Sequence, residues 1–474
     1  MRPVRVRNRF ERREPFPMAG NRRRAAGVKR SAAALAMVLS GCAENAAAPH
    51  STLPFALGLY SSRAASASPI KHVVIVMQEN RSFDNLFAGF PGADAPTVGV
   101  THDGRRVKLY ADTLSTLVDP PHYYTVSILD YDNGKMDGFN LEPGKDGKAL
   151  GLFPYAYVER SVTTPYWTMA KQYVLADKMF GTEHGSSWTA HVNLIGTTNL
   201  SPTLALLEFP SAAPYDCFAP PGTTTMTIDA DRHFGVGPFP CLNQFRTMAD
   251  TLDAAHLTWR SYGAPFVNPK DVLGSQWNAF GAIRRVRYGP DWKNVVVGPP
   301  KVLADIAAGD LAAVTWITPD WAYSDHASGG AILGPSWVAA IVNTIGQSKY
   351  WNDTAIVITW DEWGGWYDDA VPPQLDFKGL GLRVPCIIVS RFAKRHYVSH
   401  TLYEFASIQR FIEDTFDLPL LGTAADGYED ARANSLSDSF DFAQKPLPFK
   451  VIPAKYPASY FGRMAPSLET PDDD

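Results

Sequence analysis

The stretch that most constrains the fold is a short apolar run that ends in charged and amide side chains. Residues 73–77 are continuously apolar and rich in β-branched side chains, which favours a buried strand of a parallel sheet over a helix. Glu79, Asn80 and Asp84 follow this run directly. In open α/β sheets, ligands bind just beyond the carboxyl ends of the strands. The run therefore predicts a strand that delivers oxygen ligands for a hard cation or a phosphate.

A second stretch has the same layout. Residues 354–360 form another apolar run, and Asp361 and Glu362 follow it, ahead of Gly364 and Gly365. Two strands that end in acidic residues far apart in the chain predict one shared site. The alternative is that these acids cap the helices that follow their strands.

The order of the apolar patterns predicts an α/β fold with a mostly parallel sheet, because strand patterns alternate with helical ones. Strands are predicted at residues 257–262, 313–317 and 384–389, and helices at 187–195, 245–256, 302–309, 336–348 and 403–416. Residues 162–178 mix helix and strand signals. Residues 91–118 are interpreted as a β-hairpin or irregular insertion, and residues 208–241 as loop.

Composition bounds the class of protein. The chain has 474 residues, of which 45% are hydrophobic, and this is ample for a large core in one or two domains. The formal net charge of -4 argues against bulk binding of nucleic acid, so no nucleic-acid partner is expected.

The N-terminal segment is typical of an exported protein. Residues 1–30 are strongly basic, residues 31–41 are uncharged, and Leu39-Ser40-Gly41-Cys42 resembles a bacterial lipobox, whose Cys becomes lipidated. We predict a signal peptide with lipobox at 1–42, a flexible tether at 43–69 and a single catalytic domain at 70–474. The alternative is a simple cleaved signal near Ala48. The expected location is the periplasm or cell envelope, or outside the cell. Membrane contact is expected only through the lipid anchor, because no later apolar stretch reaches about 18 residues.

The cysteines beyond Cys42 point to one disulfide. Cys217 and Cys241 flank a loop rich in Pro, Gly and Thr, and export permits oxidation, so we predict that they pair. Cys386 lies within an apolar strand pattern and is predicted to be a buried free thiol. No Cys/His spacing is typical of a zinc finger.

Ser187 is the strongest candidate nucleophile. It follows a Gly-Ser turn and opens a predicted helix, whose free N–H groups and positive dipole end would stabilise an alkoxide and bind phosphate. The alternative is an ordinary serine at a helix start. The Gly-x-Ser-x-Gly elbow is absent, so activation by a metal is favoured over a His base. The oxygen ligands for that metal would come from Glu79, Asn80, Asp361 and Glu362.

Three histidines could also contact a substrate. His122 and His326 are placed to bind or protonate it, and His326 again follows a predicted strand. His191 lies one helical turn after Ser187 on the same face, so it could contact the same ligand or simply pack. The alternative for each is a structural histidine.

Several blocks in order give the chain a specific resemblance. It resembles the bacterial phosphoesterase family that holds the phospholipases C and acid phosphatase A, over about residues 70–420. The blocks are Glu79-Asn80-Arg81-Ser82-Phe83-Asp84 within 74–87; Asp119-Pro120-Pro121-His122 with 134–139; 176–180 with Ser187-Trp188-Thr189-Ala190-His191; 316–319 with His326; Asp361-Glu362 with Gly364-Gly365, Tyr367 and Asp368; and 381–385 through 398–400.

The resemblance implies an alkaline-phosphatase-like three-layer sandwich with a mostly parallel central sheet. It implies a divalent metal ion, of unknown identity, and a Ser187 nucleophile that forms a phospho-Ser intermediate. His122 and His326 would contact the phosphoryl oxygens or assist the leaving group, and Asn80 and His191 would bind substrate. The implied metal ligands are Glu79, Asn80, Ser187, Asp361 and Glu362.

The chain departs from the family pattern in two places. Trp363 and Asp369 stand where many relatives have His, and Gly185-Ser186 stands where relatives often have Gly-Pro. The predicted function is an exported, metal-dependent phosphoesterase that acts on phosphomonoesters or phospholipid head groups. One alternative is a non-catalytic surface lipoprotein that binds phosphorylated ligands. A weaker one is a sulfatase-like hydrolase, although the Cys-x-Pro-x-Arg context is absent. The sequence leaves the oligomeric state open.

Overall fold

The computed structural model of this chain describes residues 68–266, 277–329 and 332–467. All of these residues belong to one compact unit. The predicted signal peptide and lipobox, and the predicted tether up to residue 67, lie outside the described residues. None of the helices in the described ranges combines the length and apolar character needed to cross a membrane.

Strands and helices alternate along the chain, as the sequence predicts. The strands are β1 (His72–Gln78), β2 (Val98–Val100), β3 (Arg106–Lys108), β4 (Tyr110–Asp112), β5 (Ala156–Val158), β6 (Val174–Phe180), β7 (Asn199–Ser201), β8 (Leu204–Leu206), β9 (Met226–Asp229), β10 (Phe234–Val236), β11 (Trp259–Gly263), β12 (Val295–Val297), β13 (Val314–Ile317), β14 (Thr354–Trp360), β15 (Arg383–Ser390), β16 (Tyr397–Ser399) and β17 (Tyr403–Glu404). The α-helices are α1 (Phe83–Phe87), α2 (Tyr124–Tyr131), α3 (Arg160–Gln172), α4 (Ser187–Ile195), α5 (Met248–Ala254), α6 (Arg284–Tyr288), α7 (Lys301–Ala308), α8 (Gly334–Gly346), α9 (Phe405–Phe416) and α10 (Ala458–Phe461).

The central sheet has nine strands and confirms the predicted fold class. Its order is β12-β11-β13-β1-β14-β15-β6-β16, and β17 also pairs with β6. Every recorded pairing in it is parallel except those of β15 with β14 and with β6. Both predicted strands with acidic ends, β1 and β14, are neighbours in this sheet.

Helices cover the sheet in two groups. The helices α3, α7 and α10 pack against α8, whereas α4 packs against α9. Every residue of β14 and of β15 is buried, so both faces of the sheet are covered at its centre. Continuous burial explains why these strands are read as unbroken apolar runs instead of alternating patterns.

Most predicted elements form, with shifted ends. The helix from Ser187 to Ile195 has the predicted bounds, and the segment with mixed signals divides into α3 and β6. The predicted C-terminal helix begins at Phe405, because Tyr403 and Glu404 pair with β6 instead. The predicted hairpin within 91–118 is confirmed, since β2 and β3 pair antiparallel.

The interpretation of residues 208–241 as loop is wrong in part. This segment contains β9 and β10, which extend a four-stranded antiparallel sheet in the order β10-β9-β8-β7. The two strands have only four and three residues, which is too short for the alternation of apolar and polar side chains to stand out from a loop. The predicted disulfide between Cys217 and Cys241 is confirmed, and Cys386 is a buried free thiol as predicted.

Hydrogen bonds join the loops that follow β1 and β14. The Asp361 N–H donates to the Gln78 carbonyl at 3.0 Å, and the Arg81 N–H donates to the Glu362 carbonyl at 3.0 Å. The Asn80 N–H donates to Asp361 Oδ1 at 2.8 Å. The sheet pairing therefore continues past the strand ends and fixes the two acidic segments against each other.

Gly364 allows a close approach that a side chain would prevent. Its φ is +66°, and a Cβ atom placed there would lie 2.1 Å from the Asn80 carbonyl oxygen. That is far inside van der Waals contact with a backbone atom, so the loop could not keep its position. Gly364 is therefore needed for the two strand-end loops to meet.

We expect Gly364→Ala to destabilise the protein more than Gly104→Ala does. Gly104 also has a positive φ, of +77°, but nothing lies within 4 Å of its missing Cβ atom. The control should cost about 1 kcal/mol for the left-handed backbone alone. Gly364→Ala should cost about 1–3 kcal/mol more, because the overpacked loop must move. Urea unfolding of both variants measures the difference, and equal free energies of unfolding would contradict the clash.

Candidate active site

Three predicted site residues from distant parts of the chain meet in the interior. Glu79 follows β1, Asp361 follows β14 and His191 lies in α4. His191 Nε2 is 3.2 Å from Glu79 Oε1 and 3.9 Å from Asp361 Oδ2. A ligand atom of each residue lies within 4.8 Å of those of the other two, and all three residues are buried. We call Glu79, His191 and Asp361 the buried triad.

Burial shifts the protonation of the triad. It raises the pKa of Glu79 to about 8, because a buried carboxylate loses its hydration. Burial and the charge of Glu79 raise the pKa of Asp361 to about 7. Burial lowers the pKa of His191 to about 4, so its imidazole is neutral at neutral pH. At neutral pH Glu79 therefore holds a proton next to Asp361, and the neutral imidazole of His191 brings no positive charge to either acid.

Asn80 adds an unused amide to this group. Its side chain is fully buried, and neither its Oδ1 nor its Nδ2 atom has a hydrogen-bond partner. Its φ is +58°, a left-handed conformation that is uncommon outside glycine. Strained backbone and unpaired buried polar groups are typical of sites that bind a ligand.

The residues present fit a divalent cation. Two carboxylates, a neutral imidazole and an amide oxygen are all suitable metal ligands. A bound cation would displace the proton of Glu79, pair with both carboxylates and satisfy the Asn80 amide. Glu362 lies beside them and is 5% exposed; its Oε2 atom accepts a hydrogen bond from the Gly364 N–H at 2.8 Å.

Ser187 is the first residue of α4 and lies one turn before His191. Ser186 precedes it in an extended conformation at the N-cap, so the helix begins where the Gly-Ser turn predicts. Ser187 is 3% exposed and therefore also lies in the interior. The helix that carries a member of the buried triad thus begins at the candidate nucleophile, with its N-terminal dipole end at Ser187.

The two predicted histidines form a pair. The rings of His122 and His326 are 5.3 Å apart between centroids and nearly perpendicular. The Nδ1 atom of His122 lies 2.8 Å from the Pro120 carbonyl oxygen, so that nitrogen carries the proton. The charge of His122 lowers the pKa of Glu79, which places the pair in the electrostatic neighbourhood of the triad.

Asp325 is a buried acid that the sequence interpretation missed. Its Oδ2 atom accepts hydrogen bonds from the Tyr166 hydroxyl at 2.7 Å and from Trp360 Nε1 at 3.0 Å. Its carbonyl accepts from Arg81 Nε at 2.8 Å, and its charge raises the pKa of Glu79. Its position beside His326, just after β13, could have identified Asp325 from the sequence. The sequence interpretation used that position only for the histidine.

Trp363 and Asp369, which depart from the family pattern that the sequence resembles, both make structural contacts. Trp363 Nε1 donates to Asp130 Oδ2 at 3.0 Å. The Asp369 carboxylate is 3.0 Å from Arg383 Nη2, and the same guanidinium is 3.2 Å from Asp84. These side chains hold the loop after β14 against its neighbours.

The chain is similar to proteins named phospholipases C. It is 24% identical over 450 residues to the non-hemolytic phospholipase C of Pseudomonas aeruginosa, covering 82% of this chain and 60% of that protein. It is 26% identical over 440 residues to phospholipase C A of Mycobacterium tuberculosis, covering 80% of this chain and 78% of that protein. This chain thus spans less than two thirds of the Pseudomonas relative and more than two thirds of the Mycobacterium one.

Among solved structures, the chain is similar to a protein in the alkaline phosphatase superfamily from Vibrio parahaemolyticus. The TM-score is 0.36 and the identity 10%, covering 74% of this chain and 67% of that one.

A family model covers most of the described chain. Residues 70–419 match the model of the Phosphoesterase family. This match and the named relatives confirm the predicted family, and they support the predicted enzyme class, a hydrolase of ester bonds. The chain belongs to the Phosphoesterase family.

Proposed function

We propose that the chain is an exported, metal-dependent phosphoesterase in which Ser187 is the nucleophile. The observation that carries this proposal is the buried triad, which joins two strand ends to the helix that Ser187 opens. Family membership supports the reaction class. Export rests on the pattern of residues 1–42 in the sequence, with a lipobox at Cys42.

Glu79, Asp361, His191 and Asn80 would hold the cation, with Glu362 beside them. When bound, a divalent cation would neutralise charge on the phosphoryl oxygens and favour the alkoxide form of a serine. His191 was expected at the substrate, but its place between two carboxylates makes it a candidate ligand. The strand-end hydrogen bonds hold these residues in position before substrate binds.

In the first step, Ser187 Oγ attacks the phosphorus atom in line with the leaving group. An Oγ–P bond forms, the bond from phosphorus to the ester oxygen breaks, and the departing alkoxide takes up a proton. That proton is the one Ser187 Oγ loses on attack. Water then attacks the phospho-Ser intermediate: its OH group stays on phosphorus and its other proton goes to Ser187 Oγ. The product is phosphate from a monoester and a phosphate monoester from a diester. Such a reaction needs positioning and charge neutralisation more than an elaborate base.

His122 and His326 are the candidate groups for the leaving-group proton. Each Nδ1 atom lies against a backbone carbonyl, that of Pro120 and of Ala327 respectively, which fixes the tautomer and the ring orientation. The pair would then present Nε2 atoms to the phosphoryl oxygens or to the ester oxygen.

The proposed substrates are phosphomonoesters or the head groups of phospholipids. The Pseudomonas and Mycobacterium relatives are named phospholipases C, which favours phosphodiesters of lipids. The sulfatase-like alternative has no support in the residues of the site, because no cysteine lies at the start of α4.

We expect Ser187→Ala to abolish turnover of p-nitrophenyl phosphate and of p-nitrophenyl phosphorylcholine. Loss of the attacking oxygen should lower kcat by at least about 10³-fold, as for other covalent nucleophiles. A spectrophotometric assay with the two substrates measures this and also separates monoester from diester preference. After an acid quench, mass spectrometry should find phosphate on the peptide that contains Ser187 in the wild type only.

Ser161→Ala is the matched control, because Ser161 lies in the first turn of a different helix, α3, and is exposed. Its turnover should equal that of the wild type. Unchanged turnover in Ser187→Ala would remove Ser187 from the mechanism.

We expect Asp361→Asn to weaken metal binding without unfolding the loop. The amide oxygen can still accept the Asn80 N–H, but the negative charge is lost. Affinity for the activating divalent ion should fall at least about tenfold, as it does even for changes to groups around metal ligands. Elemental analysis of dialysed protein and titration of activity with metal after chelation measure the effect.

Asp320→Asn serves as the control for that variant. Asp320 is equally buried but accepts hydrogen bonds from the N–H groups of Ala322 and Ser467, away from the triad. Equal metal content in both variants would contradict the proposed ligand set. A folded wild type with no metal and no activity on either ester would favour the non-catalytic lipoprotein instead.

A further inference from the structure

A small cavity with several polar side chains in its lining lies beside α4, on a different face of the helix from His191. Its volume is about 10 Å³, which is room for one particle the size of a water molecule. Ser186 and Asn193, two turns apart along α4, line it together with the loop that precedes the helix. Ser187 and His191 are not among its lining residues, whereas Asp361 is. Asp361 therefore belongs both to the buried triad and to the lining of the cavity.

Several polar atoms around this cavity lack partners. Asn193 is 1% exposed, and neither its Oδ1 nor its Nδ2 atom has a hydrogen bond. Thr182 Oγ1 and Glu183 Oε1 are also buried without a partner. A buried polar group without a partner has lost its hydration and gained no hydrogen bond, so a ligand that bonds to several of them is strongly favoured.

The charge around the cavity favours a cation over a neutral or anionic ligand. Glu183, Asp361 and Glu362 all line it. The ammonium of Lys378 lies beside Glu183, but two carboxylates share it, because Lys378 Nζ lies 3.1 Å from Glu183 Oε2 and 2.6 Å from Glu429 Oε1. The N-terminal end of α4 contributes only about half a positive charge, which is less than one carboxylate supplies with a full negative charge.

The charge balance also allows two cations at once. Glu79 and Asp361 belong to the triad, and Glu183 and Glu362 lie at the cavity, which Asp361 also lines. With Glu429, which shares Lys378 with Glu183, five carboxylates and one ammonium leave four negative charges, the charge that two divalent cations would balance. The unpartnered groups at the cavity include hydroxyl, carboxylate and amide oxygens, which Ca²⁺ and Mg²⁺ prefer as ligands.

We infer that this cavity binds a second, hard divalent cation, Ca²⁺ or Mg²⁺, through Thr182, Glu183, Asn193 and Asp361. Such an ion would tie the loop before α4 to the end of β14. It would thereby fix the start of the helix that carries Ser187 and His191. The inference goes beyond the proposed function and does not depend on which residue is the nucleophile.

The test compares metal content among variants of the full chain that each lose one buried oxygen. Thr182→Val and Asn193→Leu change side-chain volume little. After equilibration with Ca²⁺ or with Mg²⁺ and removal of free ion, each should hold one equivalent fewer per chain than the wild type. Thermal stabilisation by added Ca²⁺ or Mg²⁺ should need at least a tenfold higher concentration in both variants.

Thr251→Val is the matched control. Thr251 is 1% exposed, its Oγ1 atom also lacks a partner, and it lies in α5, outside the cavity. This variant should keep the wild-type metal content. If Thr182→Val and Asn193→Leu keep it too, a water molecule fills the cavity and the inference is wrong. If either Thr182→Val or Asn193→Leu fails to fold, the metal content of the other variant decides the test.

Glu79→Gln separates this inference from the proposed function. Glu79 is a ligand of the triad but not of the cavity. This variant should therefore lose the metal ion of the triad and keep the one in the cavity. If Glu79→Gln keeps all its metal while Asn193→Leu loses one equivalent, the second site stands and the triad site fails. The reverse result would support the triad alone and overturn the cavity site.

Discussion

The parallel pairing of β1 with β14 is the constraint on which the rest of the site depends. The register aligns His72 with Thr354 at one end and Gln78 with Trp360 at the other, so the two strands end at the same level. Glu79 and Asp361 are then neighbours, although 282 positions separate them in the chain. A shift by one residue would turn alternate side chains to the opposite face of the sheet and separate the two carboxylates. Burial on both faces enforces this register.

Two buried acidic groups in this protein show how differently such charges can be balanced. Asp84, Asp368 and Asp369 surround the guanidinium of Arg383, at 3.2, 2.8 and 3.0 Å respectively. Within the described part of the chain, Glu79 and Asp361 have an ion-pair contact only with His191, whose imidazole is neutral at neutral pH. Burying an uncompensated carboxylate is expensive, and functional sites are where such arrangements persist. This contrast supports a cation from solution as the partner of Glu79 and Asp361.

The elements that could be predicted from the sequence are those that a short segment of the chain determines by itself. The apolar runs before Glu79 and Asp361 and the helix start at Ser187 are each specified within about ten residues, and all three are confirmed. The strands β9 and β10 were missed because their pairing depends on the antiparallel sheet that they join. The role of Asp325 could not be predicted either, because its partners Tyr166 and Trp360 are distant in sequence. Asn80 could be selected from its place after β1, whereas the unpaired amide of Asn193 has no sequence signature.

The two residues that depart from the family pattern that the sequence resembles act on loop geometry. Trp363 donates its indole N–H to Asp130, and Asp369 joins the cluster around Arg383. Neither residue belongs to the buried triad. A histidine at position 363 would lose the bulk of the indole from a tightly packed interior, whereas Asp369 adds a negative charge beside Arg383. Both replacements therefore bear first on how the loop after β14 is held, since Gly364 and Glu362 within it contact Asn80 and Arg81. A change in specificity would follow from a shift of that loop, with the ligands of the triad unchanged.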